Sequence, residues 1–338
     1  MDTGLLAVNP GSVAKAAALL RRGQVVAIPT ETVYGLAANA LDEKAVERIF
    51  TAKGRPQDNP LIVHIDSMEM LPMAARKIPK EALLLAKAFW PGPLTMVLPR
   101  TARLAPSVSA GLDTVGIRMP AHPAARAVIA AAGLPLAAPS ANLSGSPSPT
   151  TAQHVLADMK GRIPLILDGG NSPVGVESTV ITLVGTPTVL RPGFVTANEI
   201  AEVLGGPVAV AAAVTAPLAA GQAPASPGMK YKHYAPKAEI TILQGNLAQF
   251  SHYVAAKATG GVWALCFEGE ETEIPVPCVT YGKKNNPATQ ATALFSALRT
   301  LDEKGAKTVF ARAPGTSGVG FAVYNRLLRA AAFRVLEL

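Results

Sequence analysis

Apolar and polar positions alternate along this chain in blocks that switch repeatedly between helical and strand periods. A helix is expected over 12–22, with Ser12 as its cap and Gly23 closing it, and a buried strand over 25–28 stops at Pro29. The pattern then predicts a polar loop over 30–35, a helix over 43–52, a strand over 61–65 and a helix over 80–89. Strands follow over 94–98 and 115–119. Pro123 suits a first helical turn and Gly133 a stop, so 123–132 is expected to be helical. Further strands are predicted near 134–138, 165–167, 179–183 and 188–190. Mixed strands and helices joined by polar loops indicate an α/β domain over 1–204.

The pattern fades after Leu204. Residues 205–228 are rich in Ala, Pro and Gly with almost no charge, and 205–238 is expected to be a linker. Strands at 239–243, 262–267 and 308–311 then alternate with helical patterns at 247–257, 287–304 and 321–332. That alternation predicts a smaller Rossmann-like α/β domain over 239–338 with a largely parallel sheet.

Composition narrows the class. The 338 residues suffice for two domains, and 49% hydrophobic content with a mean hydropathy of +0.28 excludes a largely disordered chain. A net charge of +8 favours an acidic partner, but no long Lys/Arg run singles out nucleic acid. Two cysteines, Cys266 and Cys278, stand in no metal-ligand spacing and suit a reducing compartment. The N-terminus carries acidic Asp2 and no signal pattern. The longest apolar stretch, 208–220, is broken by Pro217 and falls short of the ~20 residues that span a bilayer. A cytoplasmic protein without membrane contact is expected.

The candidate chemistry lies at strand ends and in loops. Lys53 and Arg55 flank Gly54, two cations placed to grip a polyphosphate, and Ser140 and Asn142 offer directional hydrogen bonds in a Pro-Ser-Ala-Asn-Leu-Ser-Gly loop. The bland reading of Lys53 is a cation favoured at a helix C-terminus. Pro-Thr-Glu-Thr-Val-Tyr-Gly-Leu over 29–36 places two hydroxyls, a carboxylate and a phenol at a strand end, or merely makes a polar turn. His64 sits inside a strand, where a core histidine is the usual explanation. Arg118 is the lone charge among apolar strand residues and must find a partner, either a ligand carboxylate or a structural acid. Glu177–Ser178 and Arg191 border strands and are ambiguous alone. There is no GxxxxGK(S/T) phosphate loop, no full GxGxxG, no GxSxG elbow, no HExxH and no Cys/His cluster.

Taken together, these segments strongly resemble the YrdC-type threonylcarbamoyl-AMP synthases. The motifs are those at 29–36, Lys-Gly-Arg-Pro-x-x-Asn-Pro-Leu at 53–61, Trp-Pro-Gly-Pro-Leu-Thr at 90–95, Val-Gly-Ile-Arg-Met-Pro at 115–120, Ala-Pro-Ser-Ala-Asn-Leu-Ser-Gly at 138–145 and Val-Glu-Ser-Thr-Val at 176–180. The segment at 226–236 is similar to that of longer members with an additional C-terminal domain. The resemblance implies a YrdC-like twisted mixed sheet with helices. It also implies a nucleotidyltransferase that makes threonylcarbamoyl-AMP and pyrophosphate from L-threonine, bicarbonate or CO2, and ATP, with Mg2+ carried on the ATP phosphates and no protein metal site. A separate tRNA threonylcarbamoyl transferase would use the product beside the anticodon, and the basic chain leaves room for a weak tRNA contact.

By that resemblance Lys53, Arg55, Ser140 and Asn142 serve the reacting groups. Arg55, Asn59, Thr114, Ser140, Ser148 and Arg191 bind ATP. Thr32, His64, Arg118, the Ala138 backbone and Ser178 surround threonine. The aromatic cluster at 230–234 reads either as a lid, with Tyr231 or Tyr234 on the nucleotide, or as a dock onto the second domain. Two other readings compete: a double-stranded RNA or tRNA binder without synthase activity, and carbamoyl transfer in hydrogenase maturation, for which the chain lacks the zinc-finger cysteines.

Overall fold

The computed structural model describes residues 2–216 and 234–338, which fall into two compact units. The first opens with β1 (Gly4–Ala7), α1 (Pro10–Arg21), β2 (Val26–Ile28), β3 (Gly35–Asn39), α2 (Glu43–Lys53) and β4 (Ile62–His64). It continues through α3 (Leu71–Ala74), α4 (Lys80–Phe89), β5 (Leu94–Pro99), β6 (Thr114–Arg118), α5 (Pro123–Ala132) and β7 (Leu136–Ala137). It closes with α6 (Ala152–Met159), β8 (Leu165–Asp168), β9 (Thr179–Thr182), β10 (Thr188–Arg191), α7 (Ala197–Leu204) and β11 (Ala209–Val210). Among the described residues these strands form one 11-stranded mixed sheet, β1-β8-β2-β3-β7-β4-β6-β5-β9-β10-β11.

Alternation along the strands supplies a core to each face of that sheet. Ala27, Leu36, Val63 and Ile117 join the cluster that includes Val46, Ile49 and Phe50 of α2 and Leu85 of α4. Val26, Ile28, Ala37 and Leu136 join Ala16 and Leu20 of α1 and Val128 and Ile129 of α5. Each fully buried Val, Leu, Ile or Phe among them is worth about 1.5–3 kcal/mol. The same alternation turns Gly116 and Arg118 away from the Ile117 face, and Ile62 and His64 away from the Val63 face. Parallel pairing of β4 with β6 then sets His64 opposite Arg118.

The first helix begins earlier than its hydrophobic pattern suggests. Asn9 caps it: its side chain accepts from the Ser12 amide at 3.0 Å, and Ser12 Oγ accepts from the Asn9 amide at 2.9 Å. Ser12 is therefore the reciprocal partner of the cap, and Pro10 occupies the first turn, where its missing N–H costs nothing. The composition change at Leu204 marks the end of α7 and not the end of the first unit. Ala209 and Val210 pair in parallel with Thr188 and Val189, and Val214 is buried beyond them. The hydrogen-bonding edge of β10 is thus paired by residues expected to be linker.

Among the described residues the second unit comprises 234–338 together with Gly145–Pro147 and Val174–Val176. Its elements are β12 (Glu239–Gln244), α8 (Leu247–Ala256), β13 (Val262–Cys266), β14 (Cys278–Thr280), α9 (Pro287–Glu303), β15 (Thr308–Arg312), α10 (Gly318–Ala330) and β16 (Val335–Glu337). The sheet is five-stranded in the order β14-β13-β15-β12-β16, and every pairing in it is parallel. At the C-terminal end of β15, Arg312 meets Glu270 at 3.0 Å, a buried pair. No helix among the described residues is long and apolar enough to cross a membrane.

Candidate active site

The hairpin of β2 and β3 carries the loop 29–34 at its tip, and every residue of that loop is buried. Thr30 shapes it: its hydroxyl donates to Val33 O at 2.5 Å and lies 3.0 Å from the Thr32 hydroxyl. Tyr34 OH donates to Gly170 O at 2.7 Å, tying the loop to the end of β8, and burial pushes its pKa up to about 12. The loop therefore presents Glu31 and Thr32 from a fixed frame.

Arg118 ends β6 beneath that loop. Its Nη1 donates to Thr32 Oγ1 at 2.8 Å and its Nε to Gly92 O at 3.1 Å, while Nη2 meets Glu31 Oε1 at 2.5 Å. The partner that a lone strand arginine requires is thus Glu31, held within the hairpin loop. Burial alone would raise the Glu31 carboxyl, but the Arg118 charge holds it below the ordinary carboxylate value. His64, 3% exposed, has the opposite fate. Burial drives its pKa down, the Arg118 charge adds to that, and the ring is neutral with a value of about 3. Its Nδ1 is buried with no hydrogen-bond partner.

A second group forms where α2 ends. Gly54 takes a left-handed φ of 60° that stops the helix after Lys53 and turns the chain toward β4. Lys53, 3% exposed, donates through Nζ to Ser140 O, to Asn142 O at 2.6 Å and to Asn142 Oδ1 at 3.4 Å. Ser140 Oγ donates to the same Asn142 oxygen at 2.5 Å. The backbone repeats the tie, with the Ser144 amide on Lys53 O at 2.9 Å and the Ala141 amide on Tyr34 O at 2.8 Å. Four of the expected site residues therefore sit in two adjoining loops: Lys53, Ser140, Asn142 and, half-buried beside them in sequence, Arg55. Arg55 Nη2 donates to Asn59 O at 3.0 Å. Asn59 is 1% exposed, and neither its amide oxygen nor its amide nitrogen has a partner. Such a buried amide is costly unless something else satisfies it.

A third group lines β9 and β10. Ser178 Oγ is 2.8 Å from Thr95 Oγ1, and Arg191 reaches both the Ser178 carbonyl at 3.1 Å and its hydroxyl at 3.3 Å. Gly193 allows this approach, because a Cβ there would lie 2.3 Å from the Thr179 amide nitrogen. Ser148 donates to Glu177 Oε1.

The remaining expected residues are placed less centrally. Thr114 opens β6, opposite Pro99 and, at a rise of ~3.3 Å per residue, about 13 Å along the strand from Arg118. The Ala138 amide is committed to Ile62 O at 2.9 Å, so of its two backbone polar groups only the carbonyl is available to a ligand. Tyr231 lies outside the described residues. Tyr234 is buried in the second unit, its ring 5.2 Å from Phe295 and 5.9 Å from the Arg326 guanidinium carbon. Three polar contributors had no site role assigned from the sequence: Glu31 and Glu177, noted only as bordering strands, and Thr95. A signal existed only for Glu31, since Arg118 demanded an acid and the 29–36 segment held one. Among the described residues no three His, Cys, Asp or Glu side chains stand where they could share a metal ion.

A family model described as Telomere recombination (Sua5_yciO_yrdC) matches residues 18–193, and one described as Threonylcarbamoyl-AMP synthase, C-terminal domain (Sua5_C) matches residues 195–332. The threonylcarbamoyl-AMP synthase of Bacillus subtilis is 46% identical, covering 99% of this chain and 97% of its own length. That of Pyrococcus abyssi is 44% identical over 96% of this chain and 95% of its own. The crystal structure of P. abyssi Sua5 complexed with L-threonine superimposes with a TM-score of 0.93 at 42% identity, covering 100% of both chains.

Proposed function

The chain belongs to the Sua5/YciO/YrdC family, in the form with the additional C-terminal domain, and we propose that it is a threonylcarbamoyl-AMP synthase. The observation that carries this reading is the pair of buried polar groups left open just before β4 and at its end. The Asn59 side-chain amide just before β4 and His64 Nδ1 at its end are buried without a hydrogen-bond partner. A ligand with polar groups at two separated points satisfies both.

In this reading threonine sits against Thr32, His64, Arg118, the Ala138 carbonyl and Ser178. ATP runs past Asn59, Thr114, Ser148 and Arg191. The hydrogen bonds from Arg191 to Ser178 support placing the two substrates side by side. The threonine amine captures CO2 as a carbamate, or bicarbonate with loss of water, and the pocket shields that labile species. A carbamate oxygen then attacks the α-phosphorus, the bond to the bridging oxygen breaks, and pyrophosphate leaves. Such a step needs alignment and charge stabilisation more than a protein nucleophile. Lys53, Arg55, Ser140 and Asn142 supply these. Magnesium enters with the ATP phosphates as part of the substrate.

The product passes to a separate tRNA threonylcarbamoyl transferase in the cytoplasm, for the adenosine beside the anticodon. The RNA-binder reading has less support, because most of the polar residues in question are buried and none forms part of an exposed basic face. The test is pyrophosphate release by the full chain with threonine, bicarbonate or ATP omitted in turn, and the adenylate identified by mass. Release that ignores threonine, or that requires RNA, overturns the reading.

A further inference from the structure

We propose that Glu31 receives the α-ammonium of the amino acid, so that Glu31 and Arg118 together form a clamp for a zwitterion. The proposal rests on the reading of this chain as a threonine-using synthase and adds a residue that determines its specificity.

Arg118 has committed two of its three nitrogens, Nη1 to Thr32 and Nε to Gly92 O. Nη2, with two N–H donors, faces Glu31 and has a second donor to offer a ligand carboxylate. It touches Glu31 at 2.5 Å, yet neither it nor either Glu31 oxygen makes an aligned hydrogen bond, and all three atoms are buried. The two charges are neighbours in a buried ion pair whose contact is not a well-aligned hydrogen bond. A bare carboxylate arriving at Nη2 would lie beside the Glu31 carboxylate, and like charges in a buried site repel strongly. An amino acid brings the remedy one carbon away. Its ammonium faces Glu31 while its carboxylate faces Arg118, and charges of opposite sign then meet at both contacts.

The surrounding groups favour the same arrangement. His64 is neutral, so no protein cation other than Arg118 competes for Glu31 within this cluster. The Ala121 amide and the Glu31 amide lie toward the carboxylate and, with Arg118, keep it ionised. A carboxyl held below its ordinary pKa is a poor proton acceptor, so Glu31 holds the ammonium at binding, and the ammonium proton is given up to water when the carbamate forms. Two alternatives remain distinct from this. Glu31 could serve only to position Arg118, or only to neutralise it.

The experiment is calorimetric binding to the full chain in the presence of an ATP analogue whose α,β-bridging oxygen is replaced by methylene, so that no pyrophosphate can leave, with L-threonine and with (2S,3R)-2,3-dihydroxybutanoate, which replaces the ammonium by a hydroxyl. Hydrogen bonds to charged groups predict that the unaltered protein prefers threonine by roughly 10- to 100-fold. Glu31→Gln should weaken threonine by a similar factor, change the hydroxy acid by less than about threefold, and so collapse the preference. Glu31→Asp should restore part of it. ATP binding by each variant verifies the fold. Equal weakening of both ligands in Glu31→Gln would mean that Glu31 merely positions Arg118, and would overturn the proposal. Equal affinity of the unaltered protein for the two ligands would overturn it without any variant. The readout is binding, so a failure of the synthase reading appears separately, as absent threonylcarbamoyl-AMP.

Discussion

Replacing His64 tests the electrostatics of the site without any assumption about the reaction. The imidazole is buried and neutral, with a pKa lowered from 6.5 to about 3. The unfolded chain therefore binds a proton at His64 that the folded chain refuses, and stability falls as pH drops from 6.5 toward 3. Each unit of separation is worth 1.36 kcal/mol, so the whole window amounts to about 5 kcal/mol. By pH 5 the loss relative to pH 8 is about 2 kcal/mol, still above the range where lowered carboxyls such as Glu31 begin to titrate. His64→Gln keeps a polar group of similar reach and removes the titration. Urea unfolding at pH 8 and pH 5 measures it, read through Trp90 of the first unit in a Trp263→Phe background. The difference between the two pH values should be about 2 kcal/mol smaller in the variant than in its parent. Equal differences in the two proteins would show that the ring is not held neutral, and the account of the Arg118–Glu31–His64 cluster would fail with it.

Three further outcomes follow from the geometry. Lys53→Ala should lower adenylate synthesis by an amount equivalent to about 3–4 kcal/mol, and because Lys53 also pins the 140–144 segment it should lower stability by about 1–3 kcal/mol; full activity in steady-state assays, or an unchanged urea midpoint, counts against this dual role. Valine should be rejected more strongly than serine, by roughly 100-fold or more in kcat/KM against threonine, because it leaves groups such as His64 Nδ1 without a partner; comparable rates would show that the pocket does not read the hydroxyl. Gly193→Ala should destabilise the first unit by about 1–3 kcal/mol, since the new Cβ would lie 2.3 Å from the Thr179 nitrogen; a thermal midpoint equal to that of the parent would mean the loop yields freely.

Much of the site was readable in the sequence because its motifs are continuous segments at the ends of elements. The turn after α2, the 29–36 hairpin tip and the 138–145 loop each bring several polar groups within a few residues, and local punctuation by Gly and Pro marks them. The elements that escaped notice have physical reasons for doing so. β3 is built from Gly, Leu, Ala, Ala and Asn, residues with little strand preference, and it exists because β2 and β7 pair with it on either side. β1 and β14 are short sheet edges without strong periodicity. α7 had an available signal, Thr196 with Glu199 three residues on, and the structure uses it as a reciprocal cap.

What no local pattern could supply is the meeting of Glu31 with Arg118, because it depends on strand order and register. β4 lies between β6 and β7, and β7 in turn joins the hairpin through β3. The parallel register places His64 beside Arg118, and the antiparallel one places His64 beside Leu136. Side chains alternate, so slipping β6 by one residue would drive Arg118 into the core that holds Ile117 and Val63 and turn Ile117 toward the polar pocket. Burying an unpaired arginine there would cost far more than the slip could recover. The hydrophobic pattern that stabilises β4 and β6 thus also fixes the position of the charged pair. A substitution such as Ile117→Asn, which weakens the preference for that register from the opposite face, should disturb threonine binding without touching any group that contacts the ligand. Calorimetry on a folded Ile117→Val control alongside it separates the two causes. If both variants keep their native stability and yet bind threonine differently, the coupling does not run through register, and some other path from the core to Arg118 must be sought.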